Sequence, residues 1–376
     1  MKKMKVLGMS IALFTMSLAA CGNQAETADV AAETTESVET KSGETSETTQ
    51  TDSSEEAVTE ETVETETSTT EVGQDDQSAV LIRIGGLKGP TSMGMAGLYE
   101  GVGEESSISY EFTMETAADA LTPKLIQGEL DFAAIPSNLA SILYQNTEGA
   151  IEVCAINTLG VTYIVDTGDS VHSVEDLKGK TIYATGQGTV PEYTLRYILA
   201  ENGVDPDQDV TWEFKSEATE IVSVMQSTEE EVIAMLPQPF VTVAAGQVEG
   251  LSVALNLNDE WNLVSSDSHL VTGVLVVRKE FAEENPQAVA EFLEEYKASV
   301  DFVNRNPAEA AQVIEKMDVV KAAVAEKAIP ACNMTCITGQ EMKEKLNAFY
   351  QVLYDQNPKA VGGVLPEDDF YLTVQE

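Results

Sequence analysis

Short apolar runs alternate with helical segments through most of this chain. Residues 132–135, 151–156 and 161–165 are nearly continuous apolar runs. Residues 117–127, which precede the first of these runs, carry apolar side chains at the spacing of one helix face. Strands that are buried on both sides have such sequences, and the helices that alternate with them cover the two faces of the sheet. The pattern predicts an α/β fold with mainly parallel sheets.

The alternation opens with residues 81–98, where an apolar run leads into glycines, a proline and a series of small residues. Gly85 and Gly86 are predicted to break the strand, and Thr91 or Ser92 would then cap a helix through a side-chain oxygen. In an open α/β sheet, the backbone N–H groups at such a helix start can bind a ligand. An ordinary connecting loop explains the same residues, so both interpretations stay open.

A second unit of the same kind occupies residues 181–202. Its strand is predicted at residues 181–184, Thr189 is the predicted helix cap, and Pro191 suits the first helical turn. The amides and the dipole at a helix N-terminus favour anions, so this loop is a candidate acceptor for a carboxylate, sulfonate or phosphate. The alternative is that its glycines serve only the turn.

The N-terminal residues predict an exported protein with a lipid anchor. Lysines precede the apolar run of residues 6–20, which is short for a transmembrane helix and typical of a signal peptide spanning residues 1–20. The run ends in small residues before Cys21. This order resembles the lipobox of bacterial lipoproteins, in which the cysteine carries lipid. A secretory signal with a chance cysteine is the alternative.

Residues 21–78 are predicted to be the lipidated cysteine followed by a disordered acidic tether. The segment is rich in Thr and Glu, has no aromatic residue or proline, and contains Lys41 as its one basic residue. Such a composition cannot bury enough apolar surface to fold. A coil of this length reaches roughly 40 Å, which suits a spacer better than a merely solubilising tail. The remaining residues 79–376 carry 47 acidic and 17 basic residues, and so negative a surface argues against nucleic acid and anionic lipid as partners.

Three segments of the remaining chain resemble the substrate-binding proteins of ABC importers. They read LIQGELDFAAIPSNLA, VEDLKGKTIYATGQGTVPEYTLRYILAENGV and FAEENPQAVAEFLEEY, in this order. The resemblance is to the branch that includes nitrate, sulfonate and taurine binders and thiamine-precursor binders. It implies a periplasmic-binding-protein fold of type II, in which two lobes are joined by a hinge. The implied division is lobe 1 at residues 79–165 and 272–376, lobe 2 at residues 166–271, and crossings near residues 163–168 and 269–276.

The resemblance also implies a function. The protein would capture a small organic or oxyanion solute, such as a sulfonate, nitrate, a pyrimidine-like compound or an aromatic precursor. As a monomer, lipid-anchored on the extracytoplasmic face of the cell membrane, it would deliver the solute to an ABC permease. A ligand-sensing surface lipoprotein and an enzyme on the same fold are the alternatives. The candidate ligand contacts are Thr91, Ser92, Met93, Ser137, Asn138, Asn157, Thr158, Gly188, Thr189 and Gln238.

Several other side chains are open to two interpretations. Met93, Pro136 and Pro239 would form apolar walls of the site, while Trp261, placed in a polar loop, would either stack on a ligand or pack internally. The resemblance also implies that the Gly128-x-x-Asp131 motif directly precedes a strand that senses whether a ligand occupies the first lobe.

No cofactor and no metal site are predicted. Cys332 and Cys336 form a disulfide or stay free, and Cys154 is a predicted core residue. His172 and His269 are the only histidines, and neither lies in a catalytic motif. The fungal thiamine-precursor synthase has the same fold but relies on a cysteine-rich motif and histidines. This sequence lacks that cluster, which weakens the case for an enzyme.

Overall fold

The structure is a computed structural model that describes residues 80–101 and 107–372, all within the compact unit Gly73–Glu376. The predicted signal peptide, Cys21 and the tether lie outside the described residues. The strands are β1 (Val80–Leu87), β2 (Ile108–Glu115), β3 (Phe132–Pro136), β4 (Ile151–Leu159), β5 (Thr162–Asp166), β6 (Thr181–Ala184), β7 (Thr211–Phe214), β8 (Ile233–Pro237), β9 (Ser252–Asn256), β10 (Val271–Arg278) and β11 (Met334–Ile337).

The helices cover the faces of the sheets. They are α1 (Pro90–Met93), α2 (Ala96–Glu100), α3 (Ala118–Ile126), α4 (Ser137–Asn146), α5 (Val190–Glu201), α6 (Ala218–Ser227), α7 (Phe240–Gln247), α8 (Leu257–Val264), α9 (Lys279–Glu284), α10 (Pro286–Arg305), α11 (Pro307–Lys316), α12 (Ala322–Ala328) and α13 (Gly339–Gln356). Short 3-10 turns lie at Val174–Leu177, Ile329–Ala331, Pro358–Val361 and Asp368–Phe370. Within the described ranges, no helix has the length and apolar character needed to cross a membrane.

The strands form two sheets, which confirms the predicted α/β class. The first sheet has the order β11-β4-β10-β3-β1-β2, and the second has the order β7-β6-β8-β5-β9. β1 runs parallel to β2 and β3, and β6 runs parallel to β7 and β8. Each sheet is nevertheless mixed, because β10 in the first and β5 in the second run antiparallel to both of their neighbours.

The chain passes twice between the two sheets. β4 ends at Leu159 in the first sheet and β5 begins at Thr162 in the second, so the outward crossing is at residues 160–161 rather than at the predicted 165–166 boundary. The return lies between α8 and β10. The two crossings adjoin each other, because a Cβ built on Gly160 would lie 2.7 Å from Cδ2 of Leu270. The side-chain amide of Asn333 donates to the Gly160 carbonyl and fixes the outward crossing to the first sheet.

Gly85 and Gly86 do not break the first strand, contrary to the prediction. β1 continues through both to Leu87, and both glycines pair with β2. They are required by packing: a Cβ on Gly85 would lie 2.6 Å from Cδ1 of Leu121, and a Cβ on Gly86 would lie 2.2 Å from Oγ of Ser92. Close approach of the neighbouring helices therefore explains these glycines, and the turn itself falls at Gly89.

Trp261 is a packing residue and does not lie in a loop. It is fully buried within α8, and its indole N–H donates to Oγ of Ser268 at 3.1 Å. Its ring lies 4.7 Å from that of Tyr197 on α5 and 5.6 Å from that of Phe349 on α13. The apolar core of the first sheet is thereby continuous with that of the second.

Asp131 has a structural role at the amino end of β3. Its buried carboxylate accepts from the backbone N–H of Arg83 at 3.0 Å and from Nε and Nη2 of the same residue at 2.9 and 2.6 Å. Nη2 of Arg278 approaches the carboxylate at 3.5 Å. The Gly128-x-x-Asp131 sequence therefore ties three strands together, at the end of β3 opposite to the one that leads into α4.

Candidate ligand-binding site

The predicted contacts in the first sheet lie at or just after the carboxyl ends of β1, β3 and β4, the edge at which α/β folds place their ligands. The loop after β1 reaches α1, in which Thr91, Ser92 and Met93 are buried. Neither hydroxyl caps the helix as predicted, because the cap position is Gly89 and no side chain bonds to the helix start. Oγ of Ser92 is instead buried, without a hydrogen-bond partner among the described residues.

Thr91, Asn157 and Thr158 meet around Gly273 on β10. Nδ2 of Asn157 donates to the carbonyl oxygen of Thr91 at 3.0 Å, and Thr158 pairs with Gly273 in the sheet. A Cβ on Gly273 would lie 2.5 Å from Cγ2 of Thr91 and 2.6 Å from Oδ1 of Asn157. Oδ1 of Asn157 and Oγ1 of Thr158 are buried and unpartnered within residues 80–101 and 107–372. This concentration of unsatisfied polar atoms is unusual for a protein interior.

Ser137 and Asn138 begin α4 beside this group, since Pro136 pairs with Gly273. The Ser137 hydroxyl donates to the carbonyl oxygen of Val271 at 2.6 Å, so it braces β10. The Asn138 side chain is almost buried and has no hydrogen-bond partner among the described residues. Of the two predicted contacts, Asn138 is therefore the one with free hydrogen-bonding capacity.

The loop after β6 has the glycine conformations of a tight turn, with φ of +73° at both Gly186 and Gly188. The Thr189 hydroxyl donates to the carbonyl oxygen of Gly186 at 2.5 Å and does not cap α5. Pro191 occupies the first turn, as predicted. The Gly188 amide, predicted to receive an anionic ligand, donates instead to Oε2 of Glu192 at 2.6 Å. The chain's own carboxylate thus occupies this helix start.

Gln238 follows β8 and adjoins the outward crossing. Its backbone N–H donates to the carbonyl oxygen of Val161 at 2.9 Å, and its Oε1 accepts from the hydroxyl of Thr242 at 2.9 Å. Its side chain is almost fully buried. No hydrogen bond found in the described ranges joins Gln238, Gly188 or Thr189 to the contacts predicted in the first sheet, whereas the first-sheet contacts Thr91 and Asn157 bond directly to each other.

Cys332 and Cys336 are free thiols in the structure, so the disulfide alternative is not realised. Sγ of Cys332 is buried 3.9 Å from Sδ of Met93, and burial raises the pKa of both thiols to about 12. Met93 therefore packs internally. The described ranges hold no group of three or more His, Cys, Asp or Glu side chains suited to a metal ion.

Glu192 and Gly273 adjoin the predicted contacts Gly188, Thr91 and Asn157, and sequence reasoning missed both. A signal for Glu192 was available, because Thr189-x-x-Glu192 has the spacing of a capping box. Gly273 gave no local signal, since its neighbours Thr91 and Asn157 are remote in sequence. A separate groove of about 740 Å³ lies between α5 and α13, and Tyr193 and Asn357 contribute to its lining. None of the predicted contacts lines this groove.

Two α/β sheets joined by two crossings are the architecture of periplasmic binding proteins, and solved structures agree. An ABC transporter protein from Parabacteroides distasonis matches with a TM-score of 0.67 and 23% identity, covering 79% of this chain and all of that one. The aliphatic sulphonate binding protein SsuA from Escherichia coli matches with a TM-score of 0.62 and 15% identity, covering 79% of this chain and 94% of that one. These likenesses establish the fold.

Sequence comparison identifies the family. The family described as NMT1/THI5 like matches residues 111–310, more than half of the chain. A binding protein of Brucella abortus strain 2308 is 25% identical over 243 residues, which are 65% of this chain and 72% of that protein. The chain belongs to the NMT1/THI5-like family, and the predicted resemblance to ABC-importer binding proteins is confirmed.

Proposed function

We propose that this protein is the solute-binding component of an ABC importer. The observation that carries the proposal is the group of buried, unpartnered polar atoms on Ser92, Asn157 and Thr158, at the carboxyl ends of β1 and β4. An unpaired buried polar group costs about 1–3 kcal/mol, so a solute that pairs with these atoms would recover that cost. Family membership and the binding-protein fold support binding, and the proposal includes no catalytic step.

The solute would be held between the two sheets and enclosed by hinge motion at the two crossings. The loops after β6 and β8 would form the opposite wall, with Gly188, Thr189 and Gln238. Two hydrogen bonds already span the two halves: Nδ2 of Asn357 donates to the hydroxyl of Tyr193 at 2.9 Å, and the hydroxyl of Tyr163 donates to the carbonyl oxygen of Ala331 at 2.9 Å. The protein would remain a monomer and pass its solute to a membrane permease.

The proposal includes attachment to the membrane by lipid on Cys21, outside the cytoplasm, with residues 22–78 as the tether. The lipobox-like residues before Cys21 support it. A Cys21→Ala variant should move from the membrane fraction to the soluble fraction after cell lysis. Continued sedimentation of that variant with membranes would argue for another mode of attachment.

A thermal-shift screen of the purified chain tests the binding function directly. A ligand that binds only the folded state at a hundredfold excess over Kd adds about 2.7 kcal/mol of stability, which raises the Tm by several degrees. The panel should contain nitrate, sulfonates, pyrimidines and aromatic acids with their amides. A Tm that none of these solutes changes would contradict the proposal, and turnover of a bound solute would favour an enzyme.

A further inference from the structure

Glu192 holds the start of α5 in a fixed electrostatic arrangement. Its side chain is 9% exposed, and while Oε2 accepts from Gly188 N–H, Oε1 accepts from Nε of Arg196 at 2.6 Å. Arg196 in turn binds Asp207 at 2.7 Å and lies over the ring of Trp212, with 5.1 Å between guanidinium carbon and ring centroid. These contacts hold the Glu192 carboxylate against the turn that precedes α5.

A free helix start attracts anions through its amides and its dipole. Here the carboxylate of Glu192 already accepts a hydrogen bond from the Gly188 amide at 2.6 Å. A sulfonate, nitrate or carboxylate arriving at the same amide would meet a negative charge within a few ångströms, in a place where water is partly excluded. The second-sheet loop is therefore unfavourable for an anionic solute.

No basic side chain at the predicted contacts compensates for this. Lys88, in the loop between β1 and α1, is ion-paired with Asp318. Elsewhere in residues 80–101 and 107–372, the lysines and arginines without an ion-pair partner in those ranges are all exposed and are Lys297, Lys327 and Lys359. None of the three is among the predicted contacts or bonded to one.

The polar atoms that do remain unpartnered at the site are uncharged. The fully buried ones are the hydroxyl oxygens of Ser92 and Thr158 and the amide oxygen of Asn157, and the almost buried side-chain amide of Asn138 is uncharged as well. Hydroxyl groups can donate or accept, and the amide oxygen accepts. A neutral solute with its own donors and acceptors matches these atoms better than an oxyanion, which offers only acceptors.

We propose that Glu192 is a specificity-determining residue that excludes anions, and that the solute is an uncharged polar molecule. The inference rests on the proposed function, because it assumes that the loop after β6 faces the solute. It separates this chain from a sulfonate or nitrate binder of the same fold.

Matched pairs of probes test the inference on the unmodified chain. Ethanesulfonate and ethanesulfonamide differ little except in charge, as do benzoate and benzamide, and nitrate is a further anion. Titration calorimetry should give the uncharged member of each pair at least about tenfold higher affinity. Tighter binding of the anionic members, or of nitrate, would overturn the inference and leave the importer function standing. Binding of no probe, here and in the wider thermal-shift screen, would overturn both.

The Glu192→Gln variant tests the residue itself. Removing the charge should raise the affinity for ethanesulfonate relative to ethanesulfonamide by about tenfold. Glu201→Gln is the matched control, since it removes the same charge from an exposed position at the end of α5 and should leave the ratio unchanged. An unchanged ratio in a folded Glu192→Gln protein, checked by circular dichroism, would refute the role of Glu192. If the variant does not fold, the probe pairs on the unmodified chain still decide.

Discussion

The loop after β1 and the loop after β6 look alike in sequence but differ in what they leave available. Each region, taken from the end of the strand through the first turn of the following helix, contains glycine, a hydroxyl residue and a proline in that helical turn. In the first loop, the Ser92 hydroxyl is buried without a partner among the described residues. In the second, the Thr189 hydroxyl and the Gly188 amide are both bonded within the chain.

The difference shows that residue type alone does not make a ligand contact. The second loop satisfies its polar groups because Glu192 reaches back to the turn, and a satisfied group gains little from a ligand. The first loop lies against the sheet. The sheet residue next to Ser92 is Gly86 and the one next to Asn157 is Gly273, and neither glycine has a side chain that could pair with them. Buried polar groups without partners are rare and are frequently functional. The first loop is therefore the stronger candidate for ligand contact.

The largest expected effect comes from filling the space around Gly273. In Gly273→Ala the new methyl group would clash with Cγ2 of Thr91 at 2.5 Å and Oδ1 of Asn157 at 2.6 Å. We expect a loss of about 1–3 kcal/mol in the free energy of unfolding, measured by urea denaturation, and a loss of solute affinity.

Gly246→Ala is the matched control for this change. Gly246 lies in α7, and a Cβ built there has no heavy atom within 4 Å. Alanine should raise stability at this position by about 0.5–1 kcal/mol because it favours the helix. Equal effects of the two substitutions would mean that the first-sheet site is not tightly packed, and the contrast between the loops would lose its basis.

A pair of hydroxyl deletions compares the loops directly. Ser92→Ala removes an unpaired buried oxygen, so we expect stability to rise by about 1 kcal/mol and solute affinity to fall about tenfold. Thr189→Ala removes the hydrogen bond to Gly186, so we expect a loss of about 0.5–1.5 kcal/mol in stability and a smaller loss of solute affinity than in Ser92→Ala. Urea denaturation and calorimetry on the same preparations give both quantities.

The opposite pattern would reverse the comparison. A loss of affinity in Thr189→Ala with none in Ser92→Ala would make the second loop the main contact. Stability lost in Ser92→Ala would show that its hydroxyl has a partner in solution, such as a buried water molecule.

Local patterns predicted much of this fold, because strand and helix periods act over a few residues. The buried runs at 132–135 and 151–156 became β3 and β4, and the place of Pro191 in the first turn of α5 follows from the fixed φ of proline. The division of the chain between two lobes came from the family resemblance. The prediction placed the outward crossing too late in the chain. β5 is as apolar as the strands of the first sheet, and nothing in its sequence indicates which sheet it joins.

The parts that failed depend on contacts between distant residues. Asn157 bonds to Thr91, 66 positions away, and no local pattern indicates that pairing. Gly85 and Gly86 were predicted to end the strand because the sequence does not distinguish a glycine required by close packing of a helix from a glycine required by a turn. Trp261 was assigned to a loop because its neighbours are polar, yet they form the exposed side of α8, a helix whose other side is buried.

The smallest expected effect concerns His269 in the return crossing. A pH dependence of stability that arises there must be separated from any pH effect on binding at the two loops. The pKa of His269 is lowered, first by desolvation and then by the positive charge of Lys345, while Glu341 opposes the shift. The folded protein therefore binds the proton less tightly than the unfolded chain does. The associated stability is fully present above the ordinary histidine pKa of about 6.5 and decreases as the pH falls through that value toward the folded pKa.

We expect His269→Gln to lose less stability than the unmodified chain between pH 7.5 and pH 5.5 in urea denaturation. Lys345→Gln should reduce the loss only in part, because desolvation remains. If His269→Gln shows the same pH dependence as the unmodified chain, the crossing is not a source of it, and any pH effect on binding belongs to the loops.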